Sequence, residues 1–285
     1  METRIFRPKN LGRLLSLYAS HPDALLFAGG VECMKRVAGG ARPSKIIDLL
    51  GVDELKTISR TERYIEIGAA LPLANILSIG RHVIPRVLHD ALGSIAAPSV
   101  KNTASLGGNI CASSAYSDSL VALFALEARL ELRTLASNRW LSVGRFIEDD
   151  GSTVLQPGEV LTKIRIPLER WTVQVFRNVA AGGLPTVSSL TFCGLAQIQK
   201  GVIQDIRFSI GSVNPKILRS REMETPLIGH KLPFEEREVG IVTSRLRDLL
   251  EPIESPYTTE LYRIATADRM LRWFLRDLGE LQIWR

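Results

Sequence analysis

The fold is decided by the stretch Lys101-Asn102-Thr103-Ala104-Ser105-Leu106-Gly107-Gly108-Asn109-Ile110, which is followed by Ser113, Ser114, Ser117 and Asp118. This segment combines small residues, short polar side chains and one carboxylate. Its two adjacent glycines allow the main chain to turn and to approach a ligand without interference from a Cβ atom. The hydroxyl and amide side chains offer hydrogen-bonding groups. The segment therefore predicts a loop that holds a large, polar, phosphate-bearing cofactor.

A second glycine pair follows an apolar run near the amino terminus, in Leu25-Leu26-Phe27-Ala28-Gly29-Gly30-Val31-Glu32. A strand that ends in two glycines can point successive backbone N–H groups outward and form a concave site for a pyrophosphate. Taken alone, the run also fits an ordinary connection from a strand to a turn. The six residues from Gly29 to Met34 lack the Gly-x-Gly-x-x-Gly pattern of a dinucleotide-binding Rossmann fold.

In this order and at this separation, the two segments resemble those of the flavin-binding subunit of the molybdenum hydroxylases, the xanthine dehydrogenase and carbon monoxide dehydrogenase group. That family has an apolar strand running into Ala-Gly-Gly-Thr-Asp. It also has a stretch close to Arg-Asn-x-Ala-Ser-x-Gly-Gly-Asn-Ile, then a Ser/Ala-rich run and an aspartate. The resemblance covers nearly the whole chain of 285 residues.

The resemblance implies an α+β fold, in which a two-part FAD-binding domain of the PCMH type is followed by an antiparallel sheet with helices. We place the first domain at residues 1–170, with subdomains of about 1–55 and 56–170, and the C-terminal domain at 171–285. Hydrophobic periodicity supports this order of elements. It predicts helices at 11–19, 73–79, 83–92, 119–126, 234–250 and 258–278, and strands at 24–28, 45–50, 64–68, 129–133, 159–167, 171–179, 187–199 and 202–210.

Carried over residue by residue, the resemblance implies a set of FAD-binding residues. The first glycine segment, residues 27–32, supplies Phe27, Ala28, Gly29, Gly30, Val31 and Glu32. The second glycine segment, residues 103–109, supplies Thr103, Ala104, Ser105, Gly107, Gly108 and Asn109, and Ser114 and Asp118 follow it. Leu161, in Glu159-Val160-Leu161, is expected beside the flavin ring, and Arg177 is expected to reach the cofactor.

Two of these residues have an alternative interpretation. Asp118 stands where an aspartate commonly caps a helix, and Leu161 could be an ordinary core leucine. The four histidines, His21, His82, His89 and His230, fall outside both glycine segments, so we expect FAD to be bound non-covalently. The sequence offers no catalytic residue set and no metal-ligand spacing.

The chain also departs from the family pattern. Val31 stands where the family favours threonine, and the run from Ala180 to Thr186 lacks the arginine and aspartate that the family usually carries there. The resemblance implies an electron-transfer subunit, whose FAD takes electrons from [2Fe–2S] clusters on a small subunit. A molybdopterin subunit oxidises the substrate, and NAD⁺, dioxygen or another molecule accepts the electrons. The departures motivate an alternative, a flavin-poor scaffold of the same kind of complex. A free-standing nicotinamide oxidoreductase is a weaker alternative.

Composition restricts the partners. With 45% hydrophobic and 23% charged residues, the chain has the composition of a soluble globular protein. No apolar run approaches the roughly 20 residues needed to cross a bilayer, and the amino terminus lacks a secretory signal, so we expect a cytoplasmic protein without membrane insertion.

The chain has a net charge of +6, but its basic residues are dispersed along the sequence. This distribution argues against binding of nucleic acid and leaves an acidic partner subunit or a solvated basic surface as explanations. Cys33, Cys111 and Cys193 stand about eighty residues apart in the sequence, without the close Cys-x-x-Cys spacing typical of iron–sulfur sites. We therefore expect any iron–sulfur cluster on another chain.

Overall fold

The structure is a computed structural model that describes residues 3–181, 184–255 and 257–281. For residues 181 and 184–187 it describes the backbone only. The amino-terminal unit is a small parallel sheet with two helices. It contains β1 (Arg4–Phe6), α1 (Leu11–Ser20), β2 (Leu25–Phe27), α2 (Val31–Ala38) and β3 (Lys45–Asp48), and the strand order is β1-β3-β2. Asn10 caps α1, because its side-chain oxygen accepts the N–H of Arg13 at 2.9 Å. Leu14, Leu15 and Ile47 form the core of this unit.

The second unit is built on a five-stranded antiparallel sheet of order β4-β5-β8-β6-β7. A 3₁₀ turn at Asp53–Lys56 leads into it. Its strands are β4 (Ile58–Arg60), β5 (Tyr64–Gly68), β6 (Arg129–Arg133), β7 (Asn138–Ser142) and β8 (Val160–Pro167). Its helices are α3 (Leu73–Ser78), α4 (Arg86–Ser94), α5 (Pro98–Lys101), α6 (Leu106–Cys111), α7 (Asp118–Ala125) and α8 (Val143–Phe146). All eight residues of α7 are buried, which places this helix inside the molecule.

The C-terminal part is a three-stranded antiparallel meander covered by helices. Its strands are β9 (Val173–Ala181), β10 (Leu184–Gln199) and β11 (Val202–Gly211), in the order β11-β10-β9. The helices are α9 (Arg221–Glu224), α10 (Glu236–Asp248), α11 (Glu260–Arg276) and α12 (Leu278–Leu281), with a 3₁₀ turn at Thr225–Leu227. Lys200 and Gly201 have φ of +51° and +77°, as a two-residue hairpin that joins twisted strands requires. Phe192 and Phe274 pack edge to face, with centroids 5.4 Å apart.

The α+β architecture, the two-part first domain and the adjoining strands on either side of Lys200-Gly201 agree with the sequence-based predictions. Two helices differ from them. Val31 and Glu32 begin α2, and Gly107 to Asn109 lie within α6, whereas the sequence predicted loops at both places. On α11, Leu261 is 80% exposed, whereas Ala267 is buried. The domain boundaries near 55 and 170 stay predictions. No helix in the described ranges has the length and apolar character that a membrane span requires.

Candidate functional site

The two glycine segments meet at the junction of the first two units. A Cβ atom on Gly29 would lie 1.7 Å from the carbonyl oxygen of Thr103, so the two backbones are in direct contact. Gly107 is equally close to the chain after β5, because its Cβ would lie 2.6 Å from the carbonyl oxygen of Ala69. Both glycines therefore allow backbone to pack on backbone. The contact joins the start of α2 to the start of α6.

The start of α2 presents a set of backbone hydrogen-bond donors. Gly30 is the N-cap of this helix, with φ of +74°, and it has no side chain that could bind the first-turn amides. Within the described chain, the N–H groups of Val31, Glu32 and Cys33 donate to no protein acceptor. The ring of Phe27 fills the space beside Gly30, where a Cβ would lie 2.5 Å from it. Converging free amides at a helix start form a favourable site for an anion.

The start of α6 is different, because its amides are already used. Leu106 N donates to Leu71 O at 3.3 Å, and Gly107 N donates to Ala69 O at 2.9 Å. Gly108 N donates to Oγ of Ser105, the N-cap, at 3.2 Å. The outer side of Gly108 is open, since only Ser105 Oγ would contact an added Cβ there, at 2.9 Å. The second segment therefore offers a smooth surface rather than further free amides.

The remaining polar side chains in and after the second segment are bound within the protein. The side-chain oxygen of Asn109 accepts from Ser117 Oγ at 2.8 Å and also from Ser119 Oγ. Thr103 is exposed and donates its hydroxyl to Val100 O at 3.1 Å, and Ala104 is half-buried beside it. Ser114 is exposed, and its Oγ accepts the N–H of Tyr116 at 3.2 Å. Asn109 thus fixes the polar run that leads into α7.

Asp118 is buried and links the two domains. Its carboxylate accepts hydrogen bonds from Ser94 Oγ at 2.8 Å, Asn178 Nδ2 at 2.8 Å and Thr191 Oγ1 at 2.7 Å, with Ser188 Oγ at 3.5 Å. The alternative that Asp118 caps a helix was wrong, because Ser117 is the N-cap of α7. Sequence reasoning missed these four partners. They lie 24 to 73 residues from Asp118, and no local pattern connects them with it.

Leu161 and Arg177 lie in different surroundings. Leu161 is 5% exposed and packs in the core of the five-stranded sheet, as the core alternative requires. Arg177 lies on β9 next to Asn178, with its guanidinium 5.4 Å from the centroid of the Trp273 ring. The sequence lacks the family's arginine and aspartate between Ala180 and Thr186. The side chains of this run from residue 181 onward lie outside the described residues.

The cysteines near the site are not activated. Cys33 Sγ donates to Leu26 O at 3.4 Å, and burial raises the pKa of this thiol above its ordinary value. Burial also raises the pKa of Cys111 to about 12. Both thiols therefore stay protonated at neutral pH and are poor nucleophiles. In the part of the chain that the structure describes, no three His, Cys, Asp or Glu side chains gather as a metal site.

The residues present fit FAD. Its pyrophosphate needs donors and little steric bulk, and the free amides at the start of α2 lie beside a segment whose open position, Gly108, has no side chain. Together they form an apolar and amide-lined surface on which an extended dinucleotide can lie. The donor set contains no cationic side chain, so the backbone would carry the recognition of the phosphates.

Comparison with known proteins supports this interpretation. Residues 1–169 match the family model described as the FAD binding domain in molybdopterin dehydrogenase, and residues 186–278 match the CO dehydrogenase flavoprotein C-terminal domain. The glyceraldehyde dehydrogenase medium chain of Sulfolobus acidocaldarius is 28% identical over 257 residues, which is 85% of this chain and 89% of that one. The xanthine dehydrogenase FAD-binding subunit of Escherichia coli O157:H7 is 25% identical, with 85% of each chain covered. Aldehyde oxidase 2 of Cavia porcellus is 28% identical over 98% of this chain, but this chain spans only 22% of its length.

The fold has the same relatives. Carbon monoxide dehydrogenase from Hydrogenophaga pseudoflava, in a form that lacks the Mo-pyranopterin moiety, superposes with a TM-score of 0.88 at 24% identity over 96% of both chains. Quinoline 2-oxidoreductase from Pseudomonas putida 86 gives a TM-score of 0.87 at 21% identity over 99% of both chains. These matches confirm the two-domain architecture and the resemblance to the molybdenum hydroxylase flavoproteins. The chain therefore belongs to the family of FAD-binding domains found in molybdopterin dehydrogenases.

Proposed function

We propose that this chain is the FAD-carrying electron-transfer subunit of a molybdenum hydroxylase complex. In this proposal it takes electrons from the [2Fe–2S] clusters of a small partner subunit and passes them to NAD⁺ or another acceptor. A molybdopterin subunit would oxidise the substrate, so this chain alone would have no hydroxylase activity. The complex would be cytoplasmic, and the supporting observation is that no helix in the described ranges is long and apolar enough to span a membrane.

One observation carries the proposal: in the described chain the amides of Val31, Glu32 and Cys33 bind no protein acceptor, and the glycine segment that holds them is in backbone contact with Thr103 of the second segment. When bound, FAD supplies the exchange of electrons between one-electron and two-electron partners. The chain's own residues would bind and orient it. The α2 amides would hold the pyrophosphate, and Gly107 and Gly29 would keep the two segments in register. Leu161 and Asp118 would lie toward the flavin end.

A scaffold without flavin is the second candidate, because specific residues favour it. Val31 provides no hydroxyl where the family favours threonine, and the amides of α6 are used within the protein. Asp118 is likewise held by donors from both domains. A chain with these features could organise its partner subunits and yet bind FAD weakly.

The amount of FAD that denaturation releases from the purified complex separates the two candidates. We expect one FAD per chain, released without a covalent bond, because no histidine lies in the glycine segments. We also expect an iron–sulfur subunit and a molybdopterin subunit to co-purify when all three are expressed. A complex that assembles yet releases no FAD, even after incubation with excess FAD and removal of the unbound cofactor, would establish the scaffold. A flavin-loaded chain isolated from its native cell without a cluster-bearing partner would contradict the electron relay.

A further inference from the structure

A polar cleft lies between the two domains, away from the glycine segments. Its volume is about 910 Å³, and none of the residues 27–32 or 103–109 lines it. One wall comes from β6, β7 and α8, with Arg129, Trp140 and Arg145, and the other comes from residues 214–221 after β11. Sites for small molecules commonly have about 300–1,000 Å³ and often lie at domain interfaces. The size and position of the cleft thus suit a small ligand.

Five cationic and three acidic side chains line the cleft, and two of the three carboxylates, Glu127 and Asp149, are paired, whereas the third, Glu251, lies at the edge formed with Asn214. Glu127 accepts from Arg219 and Arg221 at 2.9 Å each and lies 3.3 Å from Arg207. These cations hold the pKa of Glu127 below its ordinary value, although burial alone would raise it. Asp149 is 3.1 Å from Lys216. Three arginines thus already share the carboxylate of Glu127. This carboxylate does not neutralise Arg129 or Arg145.

Two cationic side chains of the cleft have no such partner. In the described chain, the guanidinium groups of Arg129 and Arg145 make no hydrogen bond and no ion pair with any protein group. Arg129 is also directly opposite Arg165 in the pairing of β6 with β8. Like charges opposite one another in a sheet are destabilising. Arg165 has its own counter-ion, Glu66, and its guanidinium lies 4.1 Å from the centroid of the Trp140 ring, whereas Arg129 has no carboxylate partner in the described chain.

We propose that this cleft binds a small anion that carries at least two phosphate groups, with Arg129 and Arg145 as its ligands. A guanidinium presents a planar fork of N–H donors that matches a phosphate group in a bidentate geometry. Because the cleft is separate from the glycine segments, such a ligand binds together with FAD. It also contacts both domains and thereby stabilises their docking. The proposal does not depend on the electron-transfer function.

Calorimetric titration of the full chain with ADP and with inorganic pyrophosphate tests the proposal. The protein is first saturated with FAD, so that the glycine segments cannot take up the probes. We expect one binding site for at least one probe and a rise in melting temperature on binding. Arg129→Gln and Arg145→Gln should each weaken binding about tenfold or more, because each removes a charge-assisted hydrogen bond. A difference between the probes tells whether the nucleoside contributes to recognition.

Arg60→Gln is the matched control, because Arg60 is an exposed arginine on β4, at the far edge of the same sheet. This variant should bind as the unchanged protein does. The proposal is overturned if neither probe binds, or if both arginine variants bind them with unchanged affinity. It is also overturned if only a long acidic peptide binds, because the cleft is then a docking site for a partner polypeptide.

Discussion

At the scale of single residues, the glycines of the site have different tasks. Gly29 and Gly107 let backbones touch, because added Cβ atoms would lie 1.7 Å and 2.6 Å from carbonyl oxygens. Gly30 needs both a positive φ and space beside the Phe27 ring. Gly108 alone has an open side. A glycine pair that looks uniform in sequence therefore contains one packing position and one surface position.

This difference predicts the effects of two substitutions. Gly107→Ala should lower the free energy of unfolding by about 1–3 kcal/mol, because its Cβ has no room against Ala69. Gly108→Val should cost about 1 kcal/mol, mainly through the Ser105 cap, and should reduce flavin content strongly. Chemical denaturation and the flavin-to-protein absorbance ratio measure the two quantities.

Gly93→Ala serves as the control for these variants, since an added Cβ on Gly93, within α4, has nothing within 4 Å. It should leave flavin content unchanged, and it should raise the free energy of unfolding by up to about 1 kcal/mol, because alanine favours a helix more than glycine does. Full retention of FAD by Gly108→Val would show that the cofactor does not lie on this face of α6.

At the scale of elements, hydrophobic periodicity predicted the helices that bury one face, and it missed α2 and α6, whose first turns contain or follow glycine. Helix α1 was predictable because Leu14 and Leu15 form its buried face and Asn10 is a favourable N-cap residue before it. Helix α2 has no such signal, because its N-cap, Gly30, has no side chain and none of its residues is buried. Helix α6 has only six residues, two of them glycine, so its apolar period is too short to recognise. The partners of Asp118 depend on tertiary contacts that no local pattern contains.

The pairing of β5 with β8 predicts a pH dependence. Burial alone would raise the pKa of the Glu66 carboxyl, but its hydrogen bonds with Arg165 and the charge of Lys163 hold that pKa below its ordinary value of 4.5. The folded state thus binds this proton more weakly than the unfolded state does. Glu66 therefore contributes stability that is complete above pH 4.5 and is lost as the pH falls through the lower folded value.

Glu66→Gln should remove this contribution, about 1 kcal/mol at neutral pH. Its denaturation midpoint should depend less on pH in the acid range than that of the unchanged protein. Glu62→Gln is the control, because Glu62 is exposed in the turn before β5. An acid dependence of Glu66→Gln identical to that of the unchanged protein would contradict the assignment.

At the scale of the whole molecule, helix α7 belongs to both domains. Its backbone oxygen at Val121 accepts from Ser209 Oγ of β11 at 2.6 Å, and the oxygen of Phe124 accepts from Arg219 at 2.7 Å. The polar run before it is also held, because Ser212 N donates to Ala115 O at 2.8 Å. The chain of contacts runs from the C-terminal sheet through this run to Asn109 of the second glycine segment. A change in the docking of the two domains is therefore expected to change the shape of the flavin site.

Asp118 is the polar centre of that connection and gives the last prediction. Asp118→Asn replaces one acceptor oxygen by an N–H donor, so the donors on that oxygen lose their acceptor, either Ser94 and Asn178 on Oδ2 or Thr191 on Oδ1. We expect a loss of about 2 kcal/mol in the free energy of unfolding. Thr191→Val removes one of these bonds from the C-terminal side without a change in either glycine segment. If domain docking supports the flavin site, flavin affinity should fall in both variants.

Asp53→Asn is the control, since the Asp53 side chain is 91% exposed. Unfolding curves and flavin titrations of the three variants separate two roles of the Asp118 carboxylate. Loss of flavin in Asp118→Asn with unchanged affinity in Thr191→Val assigns the carboxylate to the cofactor itself. Unchanged stability in both would refute the link between domains, because buried hydrogen bonds to a carboxylate cannot be removed without a cost unless water replaces them.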